Sequence, residues 1–461
     1  MERRGQQTLL WFFFWLIALY PWVILPPQAG LPGKEGLWIT PKLLLLIGLV
    51  SLTTPLWLSL SSHKIPKTLV LFQIIWILAA CLLALPHYDE ATDIWLGPEN
   101  RTDGLIYQVS VLLLALALFR LETHLLQNIL LPLLILSGTY QAILWLWQRS
   151  GLDPINSIIP YAMEGPPGTI GNPGMAAGLA LPLIPLALVL WMKDKRHSWL
   201  AAAFILALGL GSLSNRSSLL ALAVGLGFLV LIAKDRRLTL ISATLLATSF
   251  ASHAYWPRIA APAKDLTNTN TLATRIQLWN LGLSVLFKDP KTFVFGLGPR
   301  GLQQATATEL IPLSKQLTLF HLEYGWPPQD RLKTAKPLWA PADPVTSRTY
   351  LLEYDTRGLP AYEKKYGETL VALQKLANVD RAHNAWLDKA LAFGVPLAMV
   401  WLLFFLTPIP KLLLGAPDPL KMGLAVSLAT LFVYYLTWFA VPQTEPWHYT
   451  LAVLAWKIAE K

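Results

Sequence analysis

The chain has 461 residues, of which 54% are hydrophobic and only 14% are charged, and its formal net charge is +10. Soluble domains average about 25% charged residues, so the composition excludes an ordinary soluble protein and predicts an integral membrane protein. Because the basic residues mostly punctuate apolar segments, we interpret the positive charge as a topology signal and expect no nucleic-acid partner. The single cysteine, Cys81, can form no intramolecular disulfide.

Twelve apolar runs approach the length of about 20 residues that a helix needs to cross roughly 30 Å of hydrocarbon. They predict an all-α polytopic membrane protein, although the seventh, eighth and twelfth runs are short. No small-x-small cleavage site follows the first run, so we interpret it as a retained span and not as a signal peptide. The predicted spans are 8–26, 42–60, 68–86, 104–120, 125–147, 173–192, 199–214, 217–233, 238–255, 388–407, 422–440 and 446–459.

Basic residues fall in alternate loops between the predicted spans. These loops carry Arg3, Arg4, Lys64, Lys67, Arg120, Lys193, Lys195, Arg196, Lys234, Arg236, Arg237, Lys411, Lys421, Lys457 and Lys461. If the spans alternate, all of these residues lie on one side, which the positive-inside rule makes the cytoplasm. The opposite loops have few bases, and the loop 87–100 is acidic. Both termini are therefore predicted to be cytoplasmic.

One long polar segment breaks this pattern, and the alternation of spans puts it on the external side. It divides the chain into the first nine spans over 1–255, a loop subdomain over 256–387, and the last three spans over 388–461. The segments 275–287 and 359–379 have helical apolar spacing, so we expect the loop to be partly helical. The proline-rich stretch 324–344 is expected to be irregular.

Two arginines on the predicted external side are candidate binding residues, because a charge at the mouth of a membrane protein is costly. Arg216 lies in a tight turn between two apolar spans. A structural alternative is that Arg216 caps the last carbonyls of the preceding helix, while Ser214 or Ser217 caps the next one. Arg275 opens an amphipathic segment, where the alternative is an ordinary surface charge.

A polar cluster precedes the tenth span and contains the candidate for a catalytic base. Its members are Asp380, Arg381, His383, Asn384 and Asp388. A neutral imidazole can take a proton from a hydroxyl near neutral pH, and a nearby carboxylate can orient it. The alternative is a histidine that lies at the level of the lipid headgroups.

Two further candidates lie in glycine-rich stretches. Asn172 precedes Pro173 at the start of a span, which predicts a helix N-cap; the exposed helix N-terminus could also help to hold an anion. Arg300 lies in the turn 296–301. That turn has no βαβ context and does not match the spacing of phosphate-binding loops, so it predicts no nucleotide site.

These residue types together indicate one chemistry. A guanidinium donates to two phosphate oxygens at once and keeps its charge. Two arginines would therefore hold a lipid-linked diphosphate and stabilise it as a leaving group, while the histidine deprotonates an acceptor hydroxyl. The chain has no HExxH motif, and its early external loops have no D-x-D motif. We expect transfer without a metal ion or another cofactor.

Four stretches resemble the bacterial O-antigen ligase / O-antigen polymerase superfamily of polytopic glycosyltransferases. They are GTIGNPGMAAGLALP (168–182), SNRSSLLALAVG (214–225), RIQLWNLGLSVLFKDPKTFVFGLGP (275–299) and the HN of RAHNAWLDKALAFGVP (381–396). The resemblance covers roughly 160–410. It implies a GT-C-like fold of about twelve transmembrane helices in the bacterial inner membrane, with one large periplasmic loop.

The resemblance also implies a reaction, in which a glycan moves from undecaprenyl diphosphate to an acceptor hydroxyl without a metal ion. Arg216 and Arg275 fall in the matching motifs and would hold the diphosphate, and His383 would be the general base. The candidates for a supporting role are Asn172, Arg300, Arg381 and Asn384.

Members of the superfamily differ in their acceptor, which is lipid A–core for ligases, a growing glycan for polymerases, and a protein for O-oligosaccharyltransferases. The late position of the large loop favours a ligase that joins O-antigen to lipid A–core in lipopolysaccharide biosynthesis. A polytopic transporter or lipid flippase is the alternative from another class. The near absence of charges inside the predicted spans, and of a visible internal repeat, argues against it.

Overall fold

The computed structural model describes fourteen stretches of the chain. They are 2–24, 36–54, 64–88, 91–97, 101–155, 168–260, 270–299, 301–302, 305, 336–339, 349–355, 369–375, 381–414 and 418–460. The chain forms two compact units. The first unit consists of Met1–Leu78, Asp89–Lys264 and Met399–Lys461, and the second of Ala79–Tyr88 and Asp265–Ala398.

Helices account for most of the described residues. Those of at least six residues are, in chain order, α1 (Glu2–Leu19), α2 (Gly36–Leu52), α3 (Lys64–Ala84), α4 (Leu105–Arg120), α5 (Leu131–Arg149), α6 (Pro173–Ala180), α7 (Leu183–Asp194), α8 (His197–Ser212), α9 (Arg216–Ala233), α10 (Arg236–Ala260), α11 (Asn270–Leu286), α12 (Pro290–Phe295), α13 (Ala385–Phe393), α14 (Val395–Leu406), α15 (Pro408–Leu413), α16 (Pro419–Thr437) and α17 (Glu445–Ala459). Between α12 and α13 the described residues form three strands, β1 (Lys336–Trp339), β2 (Thr349–Asp355) and β3 (Thr369–Lys375).

Six helical stretches within the described residues are long and apolar enough to cross a membrane. They are Pro66–His87, Thr123–Arg149, Pro173–Asp194, Arg216–Ala233, Val395–Leu413 and Pro419–Thr437. Four shorter apolar helices are Leu9–Trp22, Ile39–Leu52, Leu105–Arg120 and His197–Ser212. Each of the twelve predicted spans overlaps a helix. The structure thus supports the prediction of a helical membrane protein, while the number of twelve spans stays a prediction.

Glycines let the helices of the first unit approach one another closely, as is common in membrane proteins. A Cβ added to Gly209 on α8 would lie 2.6 Å from the Cβ of Ala142 on α5. Likewise, a Cβ added to Gly211 would lie 2.2 Å from the carbonyl oxygen of Ser249 on α10. The C-terminal end of α8 is therefore packed between α5 and α10, with almost no side chain intervening.

The second unit has its own hydrophobic core, which α11 and α13 form together. Leu281 and Leu286 of α11 are buried in the same cluster as Leu387 and Leu391 of α13. At the start of α12, the backbone N–H of Thr292 donates to the carboxylate of Asp289 at 2.9 Å and holds the pKa of that carboxyl below its ordinary value. The predicted helix at 275–287 is confirmed by α11.

The three strands form an antiparallel sheet in the order β1-β2-β3, with Tyr350 of β2 opposite Gln374 of β3. The helix predicted over 359–379 is wrong for Thr369–Lys375, and the fold is not purely helical. A short apolar run fits the period of a helix as well as that of a strand, and pairing with β2 makes this run a strand. The irregular stretch predicted at 324–344 is likewise wrong for Lys336–Trp339, because β1 pairs with β2.

The glycine-rich turn after α12 has a structural role in the second unit. The backbone N–H groups of Leu297 and Gly298 each donate at 2.8 Å, to the carbonyl oxygens of Leu391 and Ala392 respectively. The last carbonyls of a helix have no partner within the helix. This turn supplies hydrogen-bond donors to the last carbonyls of α13, so the turn has a structural role that requires no ligand.

Candidate functional site

The turn between α8 and α9 presents Arg216 at the start of a helix. Ser214 has a left-handed backbone with φ of +57°, which is uncommon for a residue other than glycine. Asn215 follows as the N-cap, and its side chain accepts from the backbone N–H of Ser218 at 3.1 Å. Arg216 is the first residue of α9, and its side chain is exposed. The alternative in which Ser214 or Ser217 caps this helix is wrong, because Asn215 is the N-cap.

A second arginine, Arg149, fixes this turn. Its Nε donates to the carbonyl oxygen of Ser212 at 2.8 Å, and its Nη2 donates to the Ser214 hydroxyl at 3.2 Å. The alternative role considered for Arg216, capping the last carbonyls of α8, therefore belongs to Arg149. We did not single out this residue from the sequence. A signal was present in the sequence, because Arg149 follows the fifth predicted span, 125–147, on the side where bases are scarce.

An imidazole on a third helix belongs to the electrostatic surroundings of both guanidiniums. His253, on α10, interacts electrostatically with Arg216 and, more weakly, with Arg149. Among the residues that the structure describes, neither arginine forms an ion pair with a carboxylate. An imidazole on α10 thus interacts electrostatically with guanidiniums on α5 and α9 within the first unit.

The glycine-rich motif at 168–172 also lies in the first unit, where a buried lysine holds it. Lys42 of α2 is fully buried, and its ammonium donates to the carbonyl oxygens of Thr169 at 2.7 Å and Val23 at 2.9 Å. Asn172 caps α6 and accepts from the backbone N–H of Gly174 at 2.8 Å. The predicted N-cap is confirmed, while a role of this helix end in anion binding stays a prediction.

His383 of the second unit occupies a second left-handed turn, with φ of +54°. Asn384 is the N-cap of α13, and its side chain accepts from the backbone N–H of Leu387 at 3.0 Å. The buried carboxylate of Asp388 accepts from the backbone N–H of Ala382 at 2.7 Å. These two bonds fix the backbone on both sides of the half-buried histidine.

The other candidate residues differ in their exposure to solvent and in the unit to which they belong. Arg275, on α11, is half-buried, and Arg381 is 8% exposed, although both are charged. Asp380 and Arg300 lie outside the described residues. Arg275, Arg381, His383 and Asn384 belong to the second unit, whereas Asn172 and Arg216 belong to the first. The convergence of Arg216, Arg275 and His383 on one diphosphate stays a prediction.

The first unit also buries ionisable side chains that the sequence did not single out. Glu445 and His448, at the start of α17, are each 1% exposed. The hydroxyl of Tyr107 donates to Glu445 Oε2 at 2.9 Å, and His448 Nε2 donates to the carbonyl oxygen of Gly178 at 2.8 Å. His448 Nδ1 therefore accepts from the Tyr435 hydroxyl, because a carbonyl can only accept. Lys42 is fully buried as well. Because Lys42 begins the predicted span 42–60 and Glu445 precedes the span 446–459, the expectation that mid-span charges are nearly absent stays a prediction.

Among the described residues, no group of three or more His, Cys, Asp or Glu side chains is placed to hold a metal ion. No protein-family model matches the chain, and no curated protein matches it in sequence. Its function is therefore argued from the motifs and from the geometry of the two turns.

Proposed function

We propose that the chain is a metal-independent glycosyltransferase of the O-antigen ligase type in the bacterial inner membrane. It moves a glycan from undecaprenyl diphosphate to an acceptor hydroxyl at the periplasmic face, with lipid A–core as the favoured acceptor. The observation that carries the proposal is the turn at His383, where an N-cap and a buried carboxylate fix the backbone around a half-buried imidazole. Strained turns of this kind cluster at functional sites.

The proposed step uses His383 as the general base. The acceptor oxygen forms a bond to the anomeric carbon of the glycan while the bond from that carbon to the diphosphate oxygen breaks. The acceptor proton passes to His383, and undecaprenyl diphosphate leaves with the electron pair. Arg216 and Arg275 hold the diphosphate and stabilise the charge that develops on the leaving oxygen.

Polymerisation of O-antigen repeat units and glycosylation of a protein use the same donor chemistry. The direct test is reconstitution of the purified protein in liposomes with an undecaprenyl-diphosphate glycan and three parallel acceptors: lipid A–core, a growing polymer, and a protein. We expect the glycan on lipid A–core. Transfer to one of the other acceptors would reassign the chain within the superfamily, and no transfer to any of them would contradict the proposal.

The sharpest variant is His383→Asn, because asparagine tolerates a left-handed backbone but cannot act as a base. We expect transfer to fall by about 10²–10⁴-fold, the usual contribution of a positioned base. His124→Asn is the matched control, since His124 is an exposed histidine in the first unit that we assign no role. Equal activity of the two variants would remove His383 from the mechanism.

A transporter or lipid flippase is the second candidate, and the buried pair Glu445 and His448 favours it. Ionisable groups buried among transmembrane helices commonly mark ion or proton pathways. A flippase would move a fluorescent undecaprenyl-diphosphate lipid between leaflets of a liposome without any acceptor, and Glu445→Gln would reduce this movement. The glycosyltransferase requires an acceptor, and His383→Asn would stop its reaction.

A further inference from the structure

Arg149, Arg216 and His253 form a cluster that the proposed mechanism does not explain. Of these three residues the mechanism uses only Arg216, yet Arg149 contacts the turn that presents it, and His253 interacts electrostatically with both arginines. No carboxylate in the described part of the chain pairs with either guanidinium. Within the described residues, two guanidiniums therefore serve one turn without an ion-paired carboxylate.

Such an arrangement is costly unless an anion occupies it. Like charges repel one another, and an anion bound beside them offsets that repulsion. The N-terminus of α9 begins at Arg216 and adds the positive end of its dipole at the same place. Within the described part of the chain, the Arg149 side chain donates only to Ser212 and Ser214, and a guanidinium has five N–H donors.

We propose that Arg149, Arg216 and His253 form one binding site for the phosphate groups of a lipid, and that Arg149 is the positioning residue of this site. Arg149 holds the left-handed turn at Ser214 and thereby sets the direction of Arg216. His253 adds a donor from α10, on the opposite side of α8 from α5. Phosphate is the ligand that matches, because guanidinium groups donate to its oxygens in a planar fork.

The inference rests on the proposed function only for the identity of the lipid, which would be undecaprenyl diphosphate. The headgroup of an anionic phospholipid offers the same phosphate chemistry. The test therefore measures binding apart from turnover and separates the two sources. The full-length protein is placed in phosphatidylcholine nanodiscs, and undecaprenyl diphosphate is titrated while tryptophan fluorescence is followed. A parallel series replaces part of the phosphatidylcholine with phosphatidylglycerol.

We expect Arg149→Gln to weaken binding of undecaprenyl diphosphate by about 10- to 100-fold, as for the loss of a charge-assisted hydrogen bond. Arg149→Lys keeps the charge, but an ammonium lacks the planar set of donors that contacts the Ser212 carbonyl and the Ser214 hydroxyl together. We therefore expect this variant to recover only part of the affinity. His253→Gln should weaken binding by about 3- to 10-fold. Arg120→Gln is the matched control, because Arg120 ends α4 as Arg149 ends α5.

The outcomes are distinct. Wild-type affinity in both Arg149 variants, or equal losses in Arg149→Gln and Arg120→Gln, would overturn the site. If Arg149→Gln fails to fold, the affinity of Arg149→Lys decides. Arg149-dependent binding of phosphatidylglycerol alone would support a phosphate site but assign it to a phospholipid. Arg149-dependent binding of undecaprenyl diphosphate without glycan transfer by the wild type would keep the site and remove the proposed enzyme.

Discussion

The turns at Ser214 and His383 share one local design in two different units. In each, a residue with a left-handed backbone is followed by an asparagine that caps a helix: Asn215 for α9 and Asn384 for α13. The supports differ in charge. A guanidinium, Arg149, holds the first turn, and a carboxylate, Asp388, holds the second.

The difference in support suggests how one local design serves two chemistries. A cation that fixes the first turn adds positive potential beside Arg216, which suits an anionic ligand. A carboxylate fixes the second turn through the backbone N–H of Ala382 and adds no positive charge to the turn that carries the proposed base. The position of the functional side chain differs too, since Arg216 follows its N-cap and His383 precedes its N-cap.

The largest expected effects come from replacing either of the two functional side chains, Arg216 or His383. Arg216→Gln should weaken donor binding by about 10- to 100-fold and raise KM, with Arg216→Lys a poor substitute, because lysine lacks the fork. His383→Asn should instead lower kcat while donor affinity stays near that of the wild type. Steady-state kinetics of glycan transfer, with donor binding measured separately, would check this division. If both variants change the same kinetic parameter, the two turns do not have the different functions proposed for them.

The support of the second turn should have the next largest effect. Asp388→Ala leaves the buried N–H of Ala382 without its acceptor, so the free energy of unfolding should fall by about 1–3 kcal/mol. Asp388→Asn keeps an oxygen at that place and should cost less. Denaturant unfolding in detergent, followed by tryptophan fluorescence, measures both. Equal losses in the two variants would show that the charge matters more than the hydrogen bond.

Backbone strain in the first turn predicts a smaller effect. A β-branched residue resists a left-handed backbone, so Ser214→Val should lower the free energy of unfolding by about 1–2 kcal/mol. Ser214→Gly relieves the strain but removes the hydroxyl that Arg149 contacts. We expect its thermal stability to be near that of the wild type and its donor affinity to be reduced. Loss of stability without loss of affinity would contradict the role of Arg149.

The two caps should have the smallest and most similar effects. Asn215→Ala and Asn384→Ala each remove one N-cap hydrogen bond, which costs about 1 kcal/mol. Serine at either position should restore most of the loss. Hydrogen exchange of the first turns of α9 and α13 would report each effect locally. A much larger cost at one cap would show that the two turns are not equivalent.

Much of the local structure could be predicted from the sequence. Apolar length and period placed a helix in each of the twelve predicted spans, and the Asn172–Pro173 pair predicted an N-cap that the structure confirms. The helix at 275–287 followed from the same periodicity. Thr369–Lys375 was predicted wrongly, because a run of seven residues fits a helix and a strand equally well until its partner is known.

The sequence by itself thus determined the class of the protein and the position of its helices, since hydrophobic length and helical period are local properties. Only the tertiary structure decided which arginine supports the turn at Ser214, which carboxylate supports His383, and which charges are buried. Arg149 and Ser214 are far apart in the chain, as are Glu445 and Tyr107. Contacts over such separations depend on how helices pack, and no local pattern of residues encodes that packing.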